Sequence, residues 1–258
     1  MSALLQIQNL GKQFGGLAAL SNVSFEATEG NVTGLIGPNG AGKTTCFNLI
    51  TGTLPPSSGK VVFQGAPITR LPPHRVVKHG LARTFQSANT FPKVSVRENI
   101  LRAALLRHTM GPIALVLGGR AARAAIAAAE TTVDNIMDAM DLAQHADREA
   151  GTLAYGHQKR LGVAIGLATQ PKLLLLDEPA AGLNPEEVDR FGTMLMMLKD
   201  RFNLSVLIVE HHMRLIMRVC DHIVVLDHGE KIAEGNVTEV QSNPRVIEAY
   251  LGADTHVQ

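Results

Sequence analysis

Gly37-Pro38-Asn39-Gly40-Ala41-Gly42-Lys43-Thr44-Thr45 decides how the rest of the chain is read. A short apolar run over residues 32–36 precedes it. Phe47, Leu49 and Ile50 follow at helical spacing. The order is strand, glycine-rich turn, helix, and the stretch fits G-x-x-x-x-G-K-[ST] at every fixed position. Glycines let main-chain N–H groups curl around an anion without Cβ clashes. The helix N-terminus adds unpaired N–H donors and the positive end of its dipole. Lys43 offers a mobile cation for terminal phosphates, and Thr44 a hydroxyl for Mg²⁺. Gly37, Pro38, Asn39, Gly40, Ala41, Gly42, Lys43, Thr44 and Thr45 are therefore the candidate phosphate cradle.

Downstream, Lys172-Leu173-Leu174-Leu175-Leu176-Asp177-Glu178-Pro179 places four leucines before two carboxylates. Such a run reads as a strand buried on both faces. Its acids emerge at the C-terminal end, where open α/β sheets hold their ligands. Beside a phosphate loop, Asp177 and Glu178 are expected to serve Mg²⁺ and the attacking water. Residues 205–210 form a further buried strand, ended by His211 and His212. Adjacent histidines on a regular backbone point apart, so no metal pair is expected. One of them at a strand end is a candidate sensor of a terminal phosphate.

The remaining chain supplies the frame. Residues 5–10, 23–27, 60–65, 81–86, 223–227 and 231–235 read as strands, with turns at Pro55–Gly59 and Asp227–Glu230. Phe14, beside Gly15 and Gly16, is either an aromatic face for a purine or a plug under a turn. Pro72-Pro73 opens a short helix ending near Gly80. Ser95-Val96-Arg97-Glu98 has the pattern of a capping box. From Gln86 to about Ala154 the composition turns to Ala, Leu and Met. It reads as a helical lobe inserted into an α/β core, with Arg102, Arg107, Arg120 and Arg123 either on a solvated face or in contact with an acidic partner. Pro185 to Arg201 is a helix with proline in its first turn, and a small helix closes the chain at residues 245–251.

Composition narrows the class. The 258 residues are 45% hydrophobic with a formal net charge of +1, which calls for neither nucleic acid nor an anionic membrane. Cys46 and Cys220 lie far apart and read as reduced core residues. The opening MSALLQIQNL lacks the features of a signal peptide. No run approaches the roughly 18 apolar residues of a spanning helix.

Taken together, Phe14, the loop at Gly37 to Thr45, Gln86, the segment Leu153 to Gln158, Leu173 to Glu178, Ala181-Gly182-Leu183-Asn184 and His211 occur in one order. In that set the chain resembles the ATP-binding subunits of ABC transporters over nearly its whole length. The resemblance implies a P-loop NTPase core of the RecA type, an antiparallel β subdomain and an inserted α-helical subdomain. It divides the chain into a core at 1–85 and 159–235, a helical lobe at 86–158, and a C-terminal helix and tail at 236–258. It implies ATP and Mg²⁺ as cofactors. Phe14 would stack on adenine, Lys43 and the loop amides would hold phosphates, and Thr44, Asp177 and Gln86 would serve the metal. Gln86 would also link the site to a membrane partner, Glu178 would act as general base or water orienter, and His211 would contact the γ-phosphate. Ala154, Gly156 and His157, in the signature segment, would cap the ATP of the opposite subunit, and residues 181–184 would join the two sites.

The implied unit is a head-to-tail dimer, with itself or with a sister ATPase, beneath two membrane permeases at the cytoplasmic face of the cell membrane. Arg83-Thr84-Phe85-Gln86, Leu-x-Tyr-Gly in the signature, Glu210-His211-x-Met213, the stretch from His108 to Arg120 and Ile247-Glu248-Ala249-Tyr250-Leu251-Gly252 look like the branched-chain amino-acid importer group. That group adds a periplasmic binding protein. Rival readings are an ATPase driving lipid or lipopolysaccharide export, and a soluble ATP switch on nucleic acid or ribosomes. The helical stretch and the ending argue against the first. The lack of a second cassette, a coiled coil or a basic excess argues against the second. Two departures stand out: Ala154 replaces the signature serine, and His157 replaces a glutamine. A charged imidazole is disfavoured at a helix start, so His157 is expected to be neutral at pH 7.

Overall fold

The computed structural model describes residues 3–84, 90–107 and 119–253. Gln86 and the stretch 108–118 lie outside them. Two sheets organise the chain. The first is four-stranded and antiparallel, in the order β2-β1-β4-β5, with β1 Ala3–Phe14, β2 Leu17–Thr28, β4 Ser58–Phe63 and β5 Ala66–Pro67. The second is six-stranded, in the order β10-β9-β3-β8-β7-β6. Its members are β3 Val32–Ile36, β6 Leu81–Arg83, β7 Leu173–Asp177, β8 Ser205–Val209, β9 His222–Asp227 and β10 Glu230–Gly235. All its pairings are parallel except β9 with β10.

Every residue of β3, β7 and β8 is buried, which explains the unbroken apolar runs. The alternation of side chains then divides each strand between two cores. Leu174, Leu176, Val206 and Ile208 join one core with the helices. Leu173, Leu175, Leu207 and Val209 join another with the antiparallel sheet and α1, Lys43–Ile50. The six-stranded sheet is thus the middle of three layers. Replacing one of these fully buried leucines with alanine costs about 2–5 kcal/mol, because both faces are packed.

The inserted lobe comprises α3 Val96–Leu105, α4 Arg120–Ala139 and α5 Tyr155–Ala168; α3 packs on both of the others. Ser95 caps α3 by accepting from the Glu98 N–H at 3.1 Å. Glu98 bonds Arg102 at 3.2 Å, rather than completing the expected reciprocal cap. Asn99, 3% exposed, ties the approach to α3 by accepting from Phe91 N–H and donating to the Phe91, Val94 and Ser95 carbonyls. The arginines are less idle than expected: Arg102 lies over the Phe91 ring and Arg107 donates to the Gln170 carbonyl.

After β7, α6 spans Pro185–Phe202 behind a full capping box of Asn184 and Glu187. Then come α7 Met213–Val219, α8 Val237–Gln241 and α9 Pro244–Ala253. Helix α8 was not anticipated, although Asn236 and Glu239 form a second capping box. The short helix after Pro72 is α2, Pro73–Lys78. Strand β4 stops at Phe63, before a turn in which Gln64 and Gly65 take positive φ. Strand β6 is described only to Arg83, short of the expected run to Gln86.

Candidate functional site

Three neighbouring strands, β3, β8 and β7, end on the same edge of the sheet, and each delivers one part of the site. From β3 the chain enters the glycine-rich loop. Gly37 has φ 151°, and a Cβ there would lie 2.1 Å from the Leu226 carbonyl. Gly42 has φ 99°, and its Cβ would meet the Ala19 carbonyl at 2.8 Å. Both positions therefore need glycine. Helix α1 starts at Lys43, so the loop runs straight into unpaired helical N–H groups. Lys43, 7% exposed, donates to the Gly37 and Pro38 carbonyls at 2.7 and 2.8 Å. Two of its three N–H donors thus hold the loop around its own ammonium. Burial pulls the Lys43 pKa below the ordinary lysine value, and the charge of Glu178 partly opposes that.

From β7 come the carboxylates. Asp177 is buried, and its Oδ2 accepts from Arg83 at 2.6 Å in an ion pair hidden from solvent at both ends. Arg83 also donates to Asn48 at 2.6 Å and to Thr51 at 3.4 Å, joining the end of β6 to α1. Glu178 holds φ 47°, left-handed for a residue with a Cβ. Its N–H bonds the Val209 carbonyl at 2.9 Å, and its own carbonyl accepts from Ala181 at 3.2 Å. From β8 come Glu210, His211 and His212. Against expectation the histidine rings lie close, with centroids 4.7 Å apart, and their ligand atoms and a Glu210 oxygen fall within 4.8 Å of one another. Both Glu210 oxygens nevertheless accept main-chain N–H bonds, so that carboxylate is already engaged.

The other expected residues sit further out. Phe14 ends β1 at 47% exposure, with the Lys12 ammonium 5.0 Å from its ring centre, so it is no buried plug. Its hairpin continues to Ala19 and Leu20, which touch Gly42. Ala154 is the exposed N-cap of α5 and caps no N–H with its side chain. Tyr155 donates to the Ala181 carbonyl at 3.0 Å and closes on Gly182. Within one chain, Ala154, Gly156 and His157 thus adjoin the loop of residues 181–184 and line a cleft of about 300 Å³ with Leu183 and Glu187. No residue of the phosphate loop is among those lining this cleft. His157 meets His145 edge to face, centroids 4.6 Å apart. Burial, reinforced by repulsion from His145 and Arg160, lowers the His157 pKa from 6.5, in keeping with a neutral ring at pH 7.

Arg83 and Glu210 were not singled out as site residues from the sequence. Both lie at strand ends, where a charge reads as a return to water. Their burial comes from contacts with elements distant in sequence.

The donor set suits a hard dication. Asp177 keeps Oδ1 without a partner among the described residues, and the Thr44 hydroxyl is exposed at the start of α1. Carboxylate and hydroxyl oxygens are what Mg²⁺ takes.

A phosphate loop leading into α1, with acids two strands away on a largely parallel sheet, defines a P-loop nucleotide-binding protein. The ABC transporter family model matches residues 20–181, and the model of the branched-chain amino acid ATP-binding cassette transporter matches residues 230–256. The chain is 40% identical over 249 residues to the high-affinity branched-chain amino acid transport ATP-binding protein BraF of Pseudomonas aeruginosa, covering 96% of this chain and 98% of that one. It is 39% identical, with the same coverage, to LivG of Escherichia coli, which carries the same description. A solved ATP-binding cassette of an ABC transporter in its ADP conformation matches with TM-score 0.83 and 32% identity, over 98% of this chain and all of that one. The protein belongs to the ABC transporter family, as one of its ATP-binding, ATP-hydrolysing subunits.

Proposed function

We propose that this chain hydrolyses ATP to energise uptake of branched-chain or closely related hydrophobic amino acids. The observation that carries the hydrolytic half is Glu178. It stands in a constrained conformation beside buried Asp177, close enough for its charge to act on Lys43. In this reading the loop amides and Lys43 bind the phosphates, and Phe14 stacks on adenine. Glu178 orients water in line with the γ-phosphorus, while Lys43 and the loop amides stabilise the charge that develops on the equatorial oxygens. His211 contacts the γ-phosphate. Thr44 and Asp177, with Gln86, would hold Mg²⁺, which would supply further charge neutralisation at the phosphates. The uptake half draws support from the relatives' shared description and from the match at residues 230–256.

Exposed Ala154 and Tyr155, in the signature segment, fit a surface completed by a second ATPase subunit, identical or sister. Two such subunits would close around two ATPs and part after hydrolysis, and the lobe at 86–158 would pass that motion to two permeases at the cytoplasmic membrane face. No helix among the described residues is long and apolar enough to cross a membrane itself. A solute-binding protein would deliver the amino acid to the permeases.

Glu178→Gln tests the core of this reading. The variant is expected to bind ATP with Mg²⁺, form a stable dimer by size-exclusion chromatography, and lose turnover by about a hundredfold or more. Near-normal phosphate release by that variant removes Glu178 from the role. Uptake of labelled leucine, isoleucine or valine by vesicles carrying the chain with its permeases tests the solute.

A further inference from the structure

Glu210 is fully buried, at 0% exposure, one residue beyond β8. A buried carboxylate ordinarily needs a cation or a set of donors. Here the donors are main-chain amides from two loops. Oε1 accepts from the Ala180 N–H at 2.7 Å, and Oε2 from the His211 and His212 N–H groups at 3.0 and 3.2 Å. Ala180 lies two residues after Glu178, on the loop leaving β7. His211 and His212 open the loop leaving β8. Strands β7 and β8 are paired up to Asp177 and Val209, and the Glu178 N–H extends that pairing by one bond to the Val209 carbonyl. Beyond this point the Glu210 side chain takes over the stitching that the ladder no longer supplies.

The arrangement bears on Glu178 directly. Its φ of 47° is one that a residue with a Cβ keeps only where its surroundings fix it. Its N–H is held by Val209, and the amide two residues on is held by Glu210. We infer that Glu210 is a positioning residue: it holds Glu178 and His211 in one frame, so that the carboxylate and the imidazole reach the γ-phosphate together. This inference rests on the roles proposed above for Glu178 and His211. Glutamine at position 210 has nearly the same shape but replaces one acceptor oxygen with an NH₂ donor, which would face main-chain donors.

The test is steady-state ATP hydrolysis by the full chain carrying Glu210→Gln, with ATP affinity measured separately by calorimetry. Affinity is expected to stay within about threefold while kcat falls by about tenfold or more, as misplacement of reacting groups without loss of binding requires. Because Glu210 acts through Glu178, the double variant Glu178→Gln/Glu210→Gln is expected to be no slower than Glu178→Gln alone. If Glu178→Gln itself turns over normally, the reading of Glu178 is wrong. If Glu178→Gln is inactive but Glu210→Gln keeps its kcat, or if the two losses multiply, the positioning role is overturned and that reading stands. Hydrogen exchange on the unaltered chain gives a second measure that does not depend on any variant folding. The Ala180, His211 and His212 amides are expected to be protected to a similar degree, and exchange of Ala180 or His211 at the rate of an open loop overturns the proposal.

Discussion

Arg83 and Asp177 form an ion pair with almost no solvent at either end, and the pair joins the end of β6 to the end of β7. Removing one partner leaves the other buried and uncompensated, which is far more costly than losing a surface pair. Arg83→Met is therefore expected to destabilise the fold by about 3 kcal/mol, read as a lower denaturant midpoint. Asn48 and Thr51 lose a donor at the same time. Arg83→Lys should restore only part of the loss, since a single ammonium cannot reproduce the planar fork that spans Asp177 and Asn48. At Lys43 the balance is different. There the cation is matched by carbonyl oxygens of its own loop, so its charge stays directed at the loop interior.

Helix starts carry much of the site's logic, and they differ in how far their residues announce them. Pro185 marks the start of α6 in the sequence, whereas the capping box of Asn184 and Glu187 came from the structure. The four leucines of β7 and the apolar run of β8 were equally plain, because a strand buried on both faces admits little else. What stayed hidden were contacts closed by the fold: the Arg83 pair, the Glu210 bonds to Ala180 and the histidine loop, and the nearness of two rings that local geometry would have set apart. Helix α5 gives a pH test at its own scale. His157, in its first turn, titrates below its ordinary value because it is partly buried and faces His145 and Arg160. The unfolded chain takes up its proton first as pH falls, so this group's contribution to stability is complete above 6.5 and is lost as pH falls through the lowered value. His157→Gln should flatten that part of the dependence of melting temperature on pH.

For the whole molecule, the surface around Ala154 is where proposed assembly and chemistry meet. A serine there would add one hydroxyl toward the γ-phosphate held by the other subunit, a bond of about 0.5–1.5 kcal/mol, or 1.5–3 to a charged group. Ala154→Ser is thus expected to tighten ATP-dependent dimerisation by several-fold to about a hundredfold, measured by analytical ultracentrifugation in the Glu178→Gln background. Equal association of the two proteins would mean that position 154 makes no such bond.

The strand order has a consequence for how copies of this chain meet. Strand β6, at one margin of the large sheet, has only three residues, and β10, at the other, carries Glu230, Lys231 and Glu234. In the small sheet, outer strand β5 is two residues long and one of them is Pro67. None of these three edges is a good template for adding a further strand, which leaves the twelve-residue β2 as the long outer strand among the described residues. In the proposed dimer, copies would instead meet at the turns and helix starts above the large sheet, with a small molecule between them.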